Sequence, residues 1–250
     1  MIRTENPVLK DSTYEKWSAE AGATAGVMTV QGTVVKSIVL VGLVLTTFIY
    51  TWTRFTAGGM AAAGPLAIGG AIGGLVLCLI TVFAAKASPF TAPLYALCEG
   101  LFLGGISAFA EMKFPGIVFQ AVGLTFGVFL SMLLLFTSRT IRATPAFTKG
   151  VIAATCGIMV VYLISLAMQL FGGSRIPYIH EGGAVGIIFS LVVVVIAALN
   201  LVLDFDLVER GAAAQAPKFM EWYAGFGLLV TLVWLYFEIL RLLAKLRGRD

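Results

Sequence analysis

The sequence predicts an all-α membrane protein built from seven transmembrane helices. Three observations carry that expectation. Hydrophobic residues fill 59% of the 250 positions and charged residues only 12%, whereas soluble domains are about one-quarter charged. Seven apolar stretches approach the ~20 residues that a helix needs to cross a bilayer. The charges that remain sit mostly in the segments between those stretches and at the chain ends.

The elements follow in chain order. Residues 1–31 form a polar N-terminal segment, and residues 32–250 form the transmembrane domain. The segment has no early apolar core, so the first hydrophobic stretch is expected to act as the targeting signal. The seven spans are Val34–Trp52, Leu66–Ala85, Pro89–Ala110, Gly116–Phe136, Gly150–Phe171, Val185–Leu203 and Trp222–Leu243. Ala57–Pro65 reads as a flexible, glycine-rich loop, and Arg210–Lys218 as a polar hinge around Pro217. Gly69/Gly73 and Gly70/Gly74 in the second span, with Gly100/Gly104 in the third, are spaced four apart. Small residues at that spacing let helix backbones approach in lipid. Cys78, Cys98 and Cys156 lie within spans without a CxxC or Cys/His cluster and read as packing residues. No internal repeat stands out.

Orientation follows from the basic residues. With a cytoplasmic N-terminus, ten of the 17 Lys and Arg fall on that side and seven on the other, which favours N-in and C-out. The basic tail of Arg241, Lys245, Arg247 and Arg249 dissents. The net charge of +4 suits orientation and anionic headgroups better than nucleic acid. The expected partner is therefore the bilayer of the cell membrane.

Polar residues inside apolar spans are expensive and mark functional candidates. Glu99 sits near the middle of the third span, with Ser107 eight residues on and on the same face. An acid at that depth is expected to be protonated or paired. It is either a cation-interacting carboxylate or a helix-locking hydrogen bonder. Asp204 and Asp206 close the sixth span in the run Leu203-Asp204-Phe205-Asp206. Two apart, they cannot face the same way on a helix. Asn200, one turn before Asp204, favours Asp204 as the inward residue. Asp206, with Glu209 and Arg210, then reads as a solvated helix end. Glu238 is three residues before Arg241 and can pair with it. His180, the single histidine, falls in the Arg175–Gly183 loop.

Enzyme readings lack their parts. No span holds a histidine for a serine nucleophile, no YD or GxGD string serves an aspartyl protease, and Lys245 lies beyond the last predicted span. No ligand spacing suggests a metal or cofactor site. A non-enzyme without cofactor is expected.

Three segments carry a family resemblance. They are Asn6-Pro7-Val8-Leu9 with Met28-Thr29-Val30, then Leu203-Asp204-Phe205-Asp206-Leu207-Val208-Glu209-Arg210-Gly211, and finally Glu221-Trp222-Tyr223 through Leu235–Leu243. In these the chain resembles the Bax inhibitor-1 (transmembrane Bax inhibitor motif) family, and within it the bacterial YccA-like branch. The resemblance implies six helices around a hydrophobic seventh. It also implies a pH-sensitive calcium leak, gated by aspartates on the sixth and seventh helices. Asp204 matches the first of these, while the second position falls on Glu238 or Thr231 depending on which flanking residues are aligned. Equal depth across the Gly211–Glu221 turn favours Thr231. Two touching carboxylates share a proton and repel when both ionise, so a single acid implies a weaker pH response or one that uses Glu99 or Glu238. The resemblance also implies an alternative, a regulatory protein that binds and restrains a membrane protease complex.

Overall fold

A computed structural model describes residues 26–172 and 183–248. The N-terminal motif at residues 6–9 and His180 lie outside the described residues. Among those described, the chain is all-helical: α1 (Val30–Phe83), a 3-10 turn (Ala85–Ala87), α2 (Ser88–Lys113), α3 (Ile117–Thr137), α4 (Pro145–Gly172), α5 (Ala184–Ala213) and α6 (Met220–Arg247). Six of these helices are long and apolar enough to cross a membrane, against the seven expected. The difference lies in α1, whose 54 residues contain the first two expected spans.

Fifty-four residues would make a rod of ~81 Å at 1.5 Å per residue, but α1 is not straight. Gly59 adopts φ 62° and ψ −154°, a region reserved almost wholly for glycine. The contacts of α2 show what this break does. Added methyl groups at Gly100 and Gly104 would meet Val44/Thr47 and Phe48/Thr51 respectively, so residues 30–58 run parallel to α2. At Gly70 the neighbours are Cys98, Leu101 and Phe102, and at Gly74 they are Tyr95, Cys98 and Glu99. Residues 60–83 therefore run antiparallel to α2. The two limbs of α1 point in opposite directions and both lie on α2.

The expected loop Ala57–Pro65 is thus a correction. Helix continues on both sides of Gly59, because Met60-Ala61-Ala62-Ala63 are good helix formers and one glycine suffices for the reversal. Pro65 falls inside the helix, near the start of the second limb. The glycine pairs serve as close-packing sites, though not all equally. Gly70, Gly74, Gly100 and Gly104 touch neighbouring helices, whereas nothing lies within 4 Å of a methyl group built on Gly69.

Helix surfaces without a neighbour are apolar, as in Phe83, Phe90 and Phe119. Such all-round hydrophobicity belongs to helices solvated by lipid. The chain divides into two compact units, one of Met1–Lys113 with Asp204–Val230 and the other of Phe114–Leu203 with Thr231–Asp250.

Candidate functional site

In the first unit, Glu99 lies buried on α2. Its carboxylate accepts a hydrogen bond from the Tyr95 hydroxyl one turn earlier, and a methyl group on Gly74 would stand 3.1 Å from its Oε2. The glycine is what lets α1 close over the acid. Tyr95 is held in turn by Phe226 of α6, edge-on at 4.9 Å between ring centroids. Further along α2, Thr91 accepts from Thr81 on the second limb of α1 at 2.8 Å, and Ser88 donates to the Phe219 carbonyl at 3.1 Å. Ser107 is fully buried. One face of α2 therefore carries Ser88, Thr91, Tyr95, Glu99 and Ser107, the spacing of a single buried polar stripe.

Asp204, on α5, points one oxygen (Oδ2) into the interior. Its other oxygen, Oδ1, lies 4.0 Å from where a methyl group on Gly227 of α6 would sit. Gly227 thus stands beside the carboxylate. Asp206 pairs with Arg210 one turn later at 2.6 Å, with both groups partly exposed. The helix continues beyond this pair to Ala213, so Asp206 lies within it and not at the helix end read from sequence. Asn200 donates to Thr155 of α4 at 2.9 Å and to the Ile196 carbonyl at 2.8 Å.

Glu238 and Thr231 belong to the second unit. Glu238 is 1% exposed and accepts from the Tyr162 hydroxyl of α4 at 2.8 Å. Arg241 lies 3.3 Å from the same carboxylate, donates to Tyr162 at 2.6 Å, and stacks over its ring at 5.0 Å. The carboxylate, the guanidinium and the phenol form a closed triad, so the structure gives Glu238 the ion-pair partner read from the spacing and adds a tyrosine. Thr231 is buried on α6. Lys245 needs correcting: α6 runs to Arg247, so Lys245 lies inside the last helix, buried near its end. Its ammonium donates to Ser190 at 2.8 Å and to the Gly186 carbonyl at 3.0 Å.

Sequence reasoning missed one heavily bonded acid. Glu221, fully buried at the start of α6, accepts from the backbone N–H and the hydroxyl of Thr29, each at 3.0 Å. Lys218 donates to the same oxygen, Oε1, at 2.8 Å, and Lys36 stands 3.6 Å from Oε2. Lys36 also lies over the Trp222 ring. Met28-Thr29-Val30 and Glu221-Trp222-Tyr223 were both legible as motif segments. Nothing in their spacing shows that they meet, 192 residues apart in the chain.

Among the described residues no group of three or more His, Cys, Asp or Glu side chains is placed to hold a metal ion. The fold and these buried acids define a polytopic α-helical membrane protein with carboxylates inside its helical interior. The sequence model of the family described as Bax inhibitor 1 like matches residues 6–248, and the chain belongs to that family. No curated protein and no solved structure matches it.

Proposed function

We propose that the protein is a pH-modulated cation leak of the cell membrane, with calcium as the favoured ion. The observation that carries this reading is the setting of Asp204. A carboxylate with one oxygen buried inside the helices faces a glycine on the next helix, which lets the two helices approach at the acid. Hard cations bind through carboxylate and carbonyl oxygens, and a protonated carboxyl loses that attraction, which ties conduction to pH. Glu99, buried on α2 beneath Gly74, supplies a second acid in the same unit. Each limb of α1 crosses the membrane separately in this account, giving seven crossings with the N-terminus in the cytoplasm and the C-terminus outside. The break at Gly59 and the opposite limb directions support that count, and the bias of basic residues supports the orientation. The protein catalyses no reaction in this reading.

Calcium flux into proteoliposomes at about pH 6 and about pH 8 tests it. Wild-type flux that changes with pH, together with Asp204→Asn flux that does not, is the expected result. Equal flux in wild-type and empty liposomes, from protein of native helix content, would overturn the reading. A specific observation favours a second reading, a regulatory protein that engages a membrane protease complex through residues 1–25. Gly26 and Val27 ahead of Thr29 are exposed, and the polar segment before them is longer than membrane insertion needs. Deleting residues 2–25 removes binding under that reading and leaves conduction intact under the first.

A further inference from the structure

Residues 26–29 form a short strap ahead of α1, seated against the turn between α5 and α6. Val27 pairs antiparallel with Pro217, and the Met28 N–H donates to the Ala216 carbonyl at 2.7 Å. Met28 is buried in a small apolar cluster with Val208 of α5, Ala216 of the turn, and Met220, Tyr223 and Ala224 of α6. Thr29 does two things at once. Its hydroxyl caps α1 by accepting from the Gly32 N–H at 2.9 Å, and it donates to Glu221. Gly32 is glycine for a reason of space: a methyl group there would collide with the Glu221 carboxylate.

Glu221 is thus met from both sides of one seam, by Thr29 and Lys36 at the start of α1 and by Lys218 from the turn before α6. A buried carboxylate held this way has two favourable conditions. The strap is in place and the charge is met by Thr29 and two ammonium groups, or the strap is out and water takes its place, because a buried ion with few partners is costly. Such seams open as units.

We propose that Glu221 is a latch: it clamps the strap at residues 26–29 to the α5–α6 turn, so that displacing the N-terminal segment releases the first turn of α6. Displacing the strap then shifts one two-state equilibrium. Since α6 carries Gly227 opposite Asp204 on α5, the latch regulates the leak, and this last clause rests on the reading proposed above.

Two arms test it on full-length protein in liposomes, with Cys78, Cys98 and Cys156 replaced by Ala. The first arm does not depend on transport. Met28→Cys is labelled with a membrane-impermeant maleimide, alone and combined with Glu221→Gln or with Gly32→Ala. The second combination wedges the seam open against the carboxylate while keeping the acid itself, and covers any failure of the first to fold. Labelling about tenfold faster in either combination, at unchanged helix content, is expected for a local opening. Equal rates in all three proteins overturn the latch.

The second arm locks the strap with Val27→Cys/Pro217→Cys. The pair is flanked by the Met28–Ala216 bond and so occupies a non-hydrogen-bonded position, with Cα atoms about 4.5 Å apart and within disulfide reach. Calcium flux that changes about fivefold or more when the lock is reduced supports the coupling. Identical flux in locked and reduced protein, with wild-type flux above empty liposomes, makes the strap a static anchor and overturns the coupling while the leak reading stands. If wild-type protein conducts nothing, the leak reading falls instead, and the labelling ratio alone decides the latch.

Discussion

Gly104→Ala offers a direct probe of how α2 is held. A methyl group built there stands 2.5 Å from the Phe48 carbonyl oxygen, 3.1 Å from its carbon and 3.0 Å from Thr51 Cβ. Ordinary contact begins near 3.4 Å, so the first of these distances must grow by 0.9 Å (3.4 less 2.5). The obstacle is helix backbone, which cannot rotate aside as a side-chain tip would. Either the first limb of α1 or α2 must move, and Cα–H···O contacts of the kind common at such crossings weaken with it. Overpacking typically costs about 1–3 kcal/mol, and a backbone obstacle places this case at the upper end. Alanine recovers roughly 0.5–1 kcal/mol through helix propensity, which leaves a net loss of about 2 kcal/mol. For a chain of this size that corresponds to a drop of roughly 4–8 °C in Tm. The assay is thermal unfolding of detergent-solubilised protein followed by the loss of its monodisperse elution peak. Gly127→Ala is the control, since nothing lies within 4 Å of a methyl group there, and it should hold or slightly raise the Tm. Equal Tm values for Gly104→Ala and Gly127→Ala would refute the close-approach argument.

Two further outcomes follow from the same coordinates. Arg241→Leu leaves the buried Glu238 with Tyr162 alone and should cost about 3 kcal/mol, whereas Arg241→Leu/Glu238→Leu should cost less than the single change, because an ion pair removed whole leaves no stranded charge; a double-mutant cycle read by thermal unfolding decides it. Single cysteines at Ala57 and Lys86 should react with an impermeant reagent from opposite sides of the membrane. Labelling from the same side would mean that the second limb of α1 does not cross.

Much of the helical layout was legible because lipid solvation writes itself into composition. Gly116–Phe136 was read within one residue of its helix, Ile117–Thr137, whereas Val185–Leu203 caught the start of a helix that runs on to Ala213. The reversal in α1 was misplaced for a local reason. Ala57–Pro65 has the small-residue composition of a loop, yet alanine is also the best helix former, and only the φ of Gly59 separates the two outcomes. At the candidate sites, local spacing worked where both partners share a helix, as in Glu238–Arg241. It failed where they do not. Glu221 stood out in the sequence only as part of the segment Glu221-Trp222-Tyr223. Its partners Thr29 and Lys36 come from the other end of the chain. Tyr162 was equally invisible, as an aromatic residue in an apolar helix whose hydroxyl finds Glu238 only through packing. For Asp204 the sequence suggested inward placement, and what it could not supply was Gly227 as the neighbour.

The central claim is a cation leak through this helical interior, and the reversal potential of purified protein in a planar bilayer under a calcium chloride gradient tests it most directly. A current that reverses near the calcium equilibrium potential and falls in Asp204→Asn is the result the account predicts. A current that reverses near the chloride potential, or a bilayer as silent with protein as without it, would contradict it.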